Sequence, residues 1–218
     1  MSRALKSRTF KTVAELVEHL GGIPAARIWL EPKPGTAREH DALALAEAAD
    51  KRLCELIDGI LVEKTVGARE SMLAAYLIRI LGNFVAARKL GLMFGSDFLV
   101  RLFRGQVRIP DLAFVSWDNL PDRRVPETAM PKLAPDLVVE VLSKGNTKAE
   151  MERKRRDYFR AGGKLFWEVD AKKRLVRVFT SPEEATALAE KDTLDGGMVL
   201  PGFTLRLRDL FAELDQQG

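Results

Sequence analysis

Apolar residues recur along the chain with two different periods, and each change of period marks a boundary between predicted elements. A helical period begins at Thr12, which has capping-box spacing to Glu15, and it ends at Gly21. A second capping box, from Thr147 to Glu150, predicts another helix. The helices predicted from this pattern cover residues 12–20, 38–51, 69–90, 148–161 and 208–214.

Short apolar runs between turn residues predict the strands. Two runs within residues 52–64 are joined at Asp58-Gly59, which is a strong hairpin signal. The other predicted strands lie within residues 92–103, 107–115, 135–143, 165–179 and 202–207. This order of elements is typical of an α/β fold with a mixed central β-sheet flanked by helices. We expect residues 1–50 to form a helical accessory segment and residues 51–218 to form the main domain.

The composition excludes several classes of protein. No apolar run among the 218 residues reaches the length of about 18 that a membrane span requires. The chain start lacks the apolar region of a secretory signal, and the one cysteine, Cys54, excludes an internal disulfide. We therefore expect a cytoplasmic protein with no membrane partner. Both histidines, His19 and His40, lie in the first fifth of the chain, which argues against a zinc site or a Ser-His-Asp hydrolase.

The predicted strand PDLVVEVLSK, residues 135–144, contains two acidic residues within an apolar run. A period of two puts Asp136 and Glu140 on the same face of this strand. A buried carboxylate without a partner is strongly unfavourable. For Asp136 we favour a structural role, because an aspartate at the start of a strand often caps backbone amides. Glu140 requires a positive charge, either from an arginine of a neighbouring helix or from a metal ion.

A second Pro-Asp pair supplies a partner for Glu140. Asp111, in RIPDLAFV, enters another buried strand, and the two carboxylates meet at one edge of the sheet if these strands are neighbours. Two close carboxylates repel each other, and one of them protonates unless a cation lies between them. Mg²⁺ is usually held by one or two carboxylates and several water molecules. The pair therefore predicts a Mg²⁺ site, with Mn²⁺ as the alternative ion.

Basic residues are concentrated in the helix that follows Glu140. Lys154 and Tyr158 are four residues apart and share a face, which we expect to point toward the sheet. A positive charge there would stabilise the negative charge that accumulates at phosphorus during phosphodiester hydrolysis. The alternative is that ERKRR is only a solvated run of charges. Other basic residues either contact phosphates or merely keep the protein soluble. These are Arg153, Arg155, Arg156, Lys172, Lys173 and Arg174.

Several stretches together resemble a known family. RIPDLAFVSWDNLP, PDLVVEVLS and ERKRRDYFRAGGKLFWEVD are similar to motifs of the Uma-two (Uma2) family of endonucleases, within the PD-(D/E)XK superfamily. RLCELIDGILVEK is similar to the first hairpin of that family. The resemblance covers about residues 50–210. It implies a restriction-endonuclease-like core and metal-dependent cleavage of DNA.

The resemblance also implies roles for individual residues. Asp111 and Glu140 fall on the two acidic metal ligands of the superfamily. The usual lysine position, two residues after the second acid, holds Leu142, and Lys154 matches a lysine displaced onto the following helix. Glu70, at the start of the long helix, is the candidate for an assisting acid, although the family commonly has a histidine in that region. The implied catalytic set is Asp111, Glu140, Lys154 and Glu70.

Two other functions stay open at this point. A protein of the same fold that no longer cleaves would be a nucleic-acid-binding or regulatory module, and the net charge of +4 is compatible with such a partner. Another metal phosphoesterase would act on RNA or on a small phosphorylated substrate, since no base-reading element separates DNA from RNA. Compact enzymes of this class often dimerise, so a homodimer is a further expectation.

Overall fold

The structure is a computed structural model that describes residues 9–65 and 67–216. Within these residues the helices are α1 (Val13–His19), α2 (Glu39–Glu47), α3 (Ala68–Arg88), α4 (Lys148–Ala161) and α5 (Leu207–Ala212). The strands are β1 (Cys54–Ile57), β2 (Ile60–Glu63), β3 (Gly91–Phe94), β4 (Val100–Phe103), β5 (Gln106–Arg108), β6 (Leu112–Ser116), β7 (Leu137–Val141), β8 (Leu165–Asp170), β9 (Leu175–Phe179), β10 (Ala185–Ala189), β11 (Thr193–Asp195) and β12 (Thr204–Arg206).

A six-stranded mixed sheet forms the centre of the fold, with the strand order β10-β9-β8-β7-β6-β3. Strands β7 and β8 are parallel, and α4 is the helix that connects them. The other neighbouring pairs in this sheet are antiparallel. The predicted α/β fold with a mixed central sheet is therefore confirmed. The predicted division into residues 1–50 and 51–218 stays a prediction.

The two faces of the central sheet are covered by different helices. Leu73 and Leu77 of α3 are fully buried in one cluster with Val139 of β7. Met151 of α4 belongs to the cluster on the opposite face, which includes Phe166 of β8. Burial of each such side chain contributes about 1.5–3 kcal/mol. Because residues alternate along β7, its even-numbered positions face α4 and its odd-numbered positions face α3.

Helix α3 is also the element most similar to a membrane span. Of the helices in the described residues, it is the one whose length and mean hydropathy would allow it to cross a membrane, judged by those two properties alone. The core helix of a soluble protein has the same properties, and the leucines of α3 pack against the central sheet.

Helix α3 ends at Arg88, two residues before the end predicted from the sequence. The C-cap is Lys89, which adopts the left-handed conformation with φ 54°. Gly91 is instead the first residue of β3, where an added Cβ would lie 2.1 Å from the carbonyl oxygen of Val115. A glycine there allows β3 to pair closely with β6.

A second sheet, with the order β2-β1-β5-β4, packs beside the first. The predicted hairpin between β1 and β2 is confirmed. Asp58 and Gly59 both have positive φ, 50° and 80°, as a type I′ turn requires. Strand β5 lies next to β1, and this pairing places Glu55 and Arg108 in the same sheet.

Two short strands near the C-terminus were not predicted from the sequence. Strand β10 has the sequence ATALA, is largely exposed, and pairs with β9 at the edge of the central sheet. Strand β11 pairs with β12 in a separate two-stranded sheet. Neither has the run of β-branched and aromatic residues that identifies a buried strand, so their pairing partners determine their structure.

Candidate active site

Asp111 and Glu140 are brought together by the pairing of two antiparallel strands. Leu112 of β6 pairs with Val139 of β7, so Asp111 lies opposite Glu140 in the same register. Residues directly opposite each other in an antiparallel pair place their side chains on the same face. The register therefore brings the two residues to neighbouring positions, and the negative charge of Asp111 acts on the Glu140 carboxyl group.

Glu140 is buried, and in the described residues only one of its two carboxylate oxygens has a hydrogen-bond partner. Its side chain is 7% exposed, and its Oε2 accepts a hydrogen bond from Lys154 Nζ at 3.1 Å. Its Oε1 is buried and has no hydrogen-bond partner among the described residues. Burial raises the pKa of Glu140 to about 8; Lys154 opposes this increase, and the negative charge of Asp111 adds to it. The positive charge of Lys154 therefore does not fully offset the cost of burying this carboxylate.

Lys154 lies on the face of α4 that points toward the central sheet, as its spacing to Tyr158 predicts. Both side chains are buried on the inner face of α4. Besides Glu140, the Lys154 ammonium contacts Glu55 Oε1 at 3.0 Å. Burial alone would lower the pKa of Lys154, but Glu140 and Glu55 together raise it. The two carboxylates therefore favour the charged form of Lys154, which suits a hydrogen-bond donor better than a general base.

Glu55 is a member of this cluster that the sequence reasoning missed. It lies on β1, is 2% exposed, and accepts hydrogen bonds from Arg108 at 2.7 Å and from the Ile109 amide at 3.1 Å. Burial would raise its pKa, but Lys154, Arg108 and these hydrogen bonds hold it at about 2. An acid within the apolar run CELI of a predicted hairpin was the signal that could have identified it.

Arg108 connects Glu55 back to the helix that carries Lys154. Its fully buried guanidinium forms a short ion pair with Asp157 of α4, and Nε donates to the same carboxylate at 3.2 Å. Gln106 donates to this carboxylate as well, at 2.6 Å. Lys154 and Asp157 are three residues apart on α4, so the contacts form a closed ring between the second sheet and this helix. The ring fixes the position of Lys154.

Asp111 is held by a second lysine that the sequence reasoning also missed. Lys64, just after β2, contacts Asp111 Oδ1 at 2.9 Å, and its side chain is 6% exposed. The same ammonium donates to the carbonyl oxygens of Pro110 at 2.9 Å and Ser96 at 3.2 Å. The other oxygen, Oδ2, accepts a hydrogen bond from the Val141 amide at 2.7 Å. Asp111 is thus fixed by contacts on both of its oxygens.

Glu70 lies in the same cleft as Asp111 without touching it. The cleft lies between the start of α3, the loop after β3 and the ends of β6 and β7. Its lining residues are Thr65, Glu70, Ser71, Ala74, Ala75, Ile78, Gly95, Ser96, Asp111 and Val141. An added Cβ at Gly67 would lie 2.0 Å from Glu70 Oε2, so this carboxylate points back toward the first turn of α3. Within the described residues, no ion pair or hydrogen bond joins it to Asp111 or Glu140.

Asp136 lies at the opposite end of β7 and is fully satisfied there. Its Oδ2 accepts a hydrogen bond from the Ser116 amide at 2.8 Å, and Lys164 Nζ donates to Oδ1 at 2.6 Å. These contacts agree with the structural role expected from the sequence. They also separate Asp136 from Glu140, although both acids belong to one apolar run.

Five of the basic residues left open by the sequence form ion pairs, and the longest are those of Arg156 with Glu152 at 3.8 Å and of Lys173 with Asp170 at 3.7 Å. Arg155 contacts Glu168 at 2.8 Å, and Arg153 contacts Asp58 at 2.5 Å. Arg174 bridges two further acids, Glu190 at 2.6 Å and Asp215 at 2.9 Å. The buried Arg155 in particular is structural, so the interpretation of the whole run ERKRR as a solvated charge cluster is wrong.

The donor set of the site fits a hard divalent cation. Within residues 9–65 and 67–216 no group of three or more His, Cys, Asp or Glu side chains is arranged as a complete set of metal ligands. Mg²⁺ does not require such a set, since it commonly takes one or two carboxylates and keeps several water molecules. Asp111 and Glu140 supply two carboxylates, and the unpartnered Oε1 of Glu140 provides an oxygen that needs a positive partner.

Comparisons with known proteins gave one family match and one similar fold. A family model described as "Uma2: Putative restriction endonuclease" matches residues 38–208. The chain is also similar to a crystal structure of "a putative nuclease belonging to DUF820" from Anabaena variabilis ATCC 29413, with a TM-score of 0.70 and 18% sequence identity. That similarity covers 81% of this chain and 98% of the other, and at this identity it shows the fold. Comparison with curated proteins gave no match.

Proposed function

The chain belongs to the Uma2 family, described as "putative restriction endonuclease", and from this premise we propose that it is a metal-dependent endonuclease that hydrolyses DNA phosphodiester bonds. The observation that carries the proposal is the buried Glu140 carboxylate, which has an unpartnered oxygen next to Asp111. Acids with strongly raised pKa values concentrate at functional sites. Most buried polar groups have a hydrogen-bond partner, so the unpaired Oε1 supports a role for Glu140 beyond stability.

Asp111 and Glu140 would hold the cation, which we propose is Mg²⁺ or Mn²⁺. When bound, such a cation supplies positive charge next to a phosphate oxygen and lowers the pKa of water. The hydrogen bond from the Val141 amide keeps Asp111 in place for this role, and Lys64 offsets part of its charge. Glu140 then keeps its charge within the buried site, because a cation favours the ionised carboxylate.

Lys154 would stabilise the negative charge that develops on the phosphate, or orient the attacking water. Its raised pKa supports a role as a cation and hydrogen-bond donor. The Glu55 carboxylate holds one side of its ammonium group at 3.0 Å, so the lysine is positioned before substrate arrives. Preorganised charge of this kind is commonly worth a factor of about 10²–10³ in rate.

Glu70 is the least supported member of the proposed catalytic set. It lines the cleft with Asp111 but turns toward the start of its own helix. We propose an assisting role, in which its carboxylate interacts with the cation through water. Replacement of Glu70 by glutamine should then slow cleavage by less than the loss of either Asp111 or Glu140 does.

DNA would approach along the open side of this cleft. Lys144 and Arg69 are both exposed at its edge: Lys144 lies between Ser143 and Gly145 in the loop after β7, and Arg69 lies in the first turn of α3. Such residues suit contacts to phosphates, which position nucleic acid without reading its sequence. A homodimer and a cytoplasmic location stay predictions from the sequence.

The test is cleavage of supercoiled and linear DNA by purified protein with Mg²⁺, with Mn²⁺ or with EDTA. Nicking should require a divalent cation and should be lost in Asp111→Asn and Glu140→Gln. The matched control is Asp118→Asn, which removes a carboxylate that is 84% exposed and pairs with the exposed Arg123. Cleavage that survives both substitutions would contradict the proposed site. DNA binding without cleavage under any cation would instead favour a nucleic-acid-binding module of the same fold.

A further inference from the structure

The segment of residues 12–28 precedes the part of the chain that the family model matches, yet it contacts the elements that build the candidate site. Its apolar side chains form a cluster with the β1–β2 hairpin. The members of this cluster are Leu16, Leu20, Ile23, Ile28, Ile57, Ile60 and Val62. The segment is therefore anchored on the second sheet, next to Lys64 at the end of β2. We call residues 12–28 the N-terminal clamp.

One side chain of the clamp, Arg27, contacts three separate elements at once. Its side chain is 8% exposed. Nε donates to the carbonyl oxygen of Glu63 at 2.9 Å, and one terminal nitrogen donates to the carbonyl oxygen of Gly145 at 3.2 Å. The other terminal nitrogen donates to Glu150 Oε1 at 2.8 Å.

Each of these three acceptors is close in sequence to a charged side chain of the site. Glu63 immediately precedes Lys64, which holds Asp111. Gly145 belongs to the loop that follows β7 and its Glu140. Glu150 lies in the first turn of α4, one turn before Lys154. The guanidinium therefore joins the ends of the elements that carry both proposed lysines and one proposed metal ligand.

The main chain of the clamp makes a second set of contacts with α4. Thr147, the N-cap of α4, donates through its hydroxyl to the carbonyl oxygen of Gly21 at 2.6 Å, and Arg153 donates to that of His19 at 3.1 Å. Gly21 has φ +84°, and an added Cβ would lie 2.9 Å from the Glu150 amide nitrogen. The clamp and the first turn of α4 are therefore packed in direct contact.

We propose that the N-terminal clamp positions the site for catalysis and that Arg27 is a positioning residue, which acts through α4 and the loop at residues 143–147 and not on the substrate. This inference rests on the proposed nuclease function. Arginine suits the role because its planar guanidinium donates in several fixed directions, whereas a lysine presents a single charge. Without Arg27, the central sheet would keep its core, while the first turn of α4 and the loop at residues 143–147 would lose their link to the end of β2.

The experiment compares the full-length wild type with Arg27→Gln, Arg27→Lys and Glu150→Gln. The control is Arg206→Gln, which removes an arginine that is 66% exposed and pairs only with the neighbouring Asp209 in the part of the chain described. Single-turnover cleavage, DNA affinity and amide hydrogen exchange are measured for each protein. We expect cleavage to slow about tenfold or more in Arg27→Gln with DNA affinity unchanged, because small displacements of catalytic groups are costly.

Hydrogen exchange distinguishes this inference from the proposed function. In Arg27→Gln and Glu150→Gln, amides at 143–156 should exchange about tenfold faster, while those of α3 and β8 stay protected. Arg27→Lys should give an intermediate effect. Unchanged exchange at 143–156, or faster exchange throughout the chain, would overturn the proposal that the N-terminal clamp positions the site. A wild type that does not cleave DNA would contradict the nuclease function, and the exchange result alone would then decide for or against the clamp.

Discussion

Glu140 and Glu168 occupy paired positions on the neighbouring parallel strands β7 and β8, yet their surroundings differ. Each residue is 5% exposed, and each contacts a basic residue of α4. One carboxylate oxygen of Glu168 accepts a hydrogen bond from Arg155 at 2.8 Å, and the other accepts one from Arg177 at 3.5 Å. In Glu140, by contrast, one oxygen accepts a hydrogen bond from Lys154 and the other has no partner in the described residues.

The comparison shows that burial alone does not identify a functional acid. Burial raises the pKa of both carboxyl groups, but two arginines offset part of the effect at Glu168. At Glu140 the neighbouring Asp111 adds negative charge, and one oxygen stays without a partner. The fully paired acid is part of the structure, whereas the incompletely paired acid is the one that we propose as a cation ligand. Substitutions at the two sites should therefore have opposite consequences for activity and stability.

The largest effect should come from Lys154→Met. This substitution removes the proposed charge at the phosphate, and we expect single-turnover cleavage to fall about 10²–10³-fold. Rapid-mixing cleavage assays with saturating protein would measure this. The protein should still fold, because Glu140 takes up a proton readily when its partner is lost. Cleavage within a few fold of wild type would show that Lys154 has no catalytic role.

The neighbouring substitution, Arg155→Met, should instead reduce stability. It leaves the buried Glu168 with only the partly exposed Arg177, and the loss of one partner of a buried pair costs about 3–5 kcal/mol. Urea denaturation would show this decrease in the free energy of unfolding. Cleavage per folded molecule should stay close to that of wild type. If Arg155→Met lost much activity without losing stability, the distinction between a structural Glu168 and a functional Glu140 would be wrong.

A further effect, smaller for each pH unit, is expected in the pH dependence of stability without divalent cations. The pKa of Glu140 is about 8 in the folded state and 4.5 ordinarily, so folded protein retains a proton that unfolded protein releases. Its contribution to stability is complete below pH 4.5 and is lost as the pH rises toward 8. Between these values it should decrease stability by about 1.4 kcal/mol per pH unit. The free energy of unfolding of Glu140→Gln should lack this dependence on pH over the same range. Identical slopes against pH for the wild type and Glu140→Gln would contradict the prediction.

Much of the fold and part of the site were predictable from local patterns. The apolar runs predict β6 and β7, and the spacing of Lys154 and Tyr158 predicts the inner face of α4. Asp111 and Glu140 are identifiable because acids are unusual in such runs.

The other members of the site depend on contacts that local patterns do not encode. Glu55 reaches Lys154 because the second sheet packs against α4, and the two residues are about a hundred positions apart. Lys64 and Arg108 have the same dependence on packing. Arg27 lies still further from its partner Glu150, with 123 positions between them. Lys64 and Arg108 lie at the ends of short strands, where no local feature distinguishes them from solvated charges.

The binding of Mn²⁺ to the protein without DNA tests the central claim most directly, because it measures the proposed cation site without requiring cleavage. Titration followed by electron paramagnetic resonance should show saturable binding in the wild type. Binding should be lost or weakened at least about tenfold in Asp111→Asn and Glu140→Gln, since each removes a carboxylate ligand. It should be retained in Glu168→Gln. Equal Mn²⁺ binding by the wild type and Glu140→Gln would contradict the account.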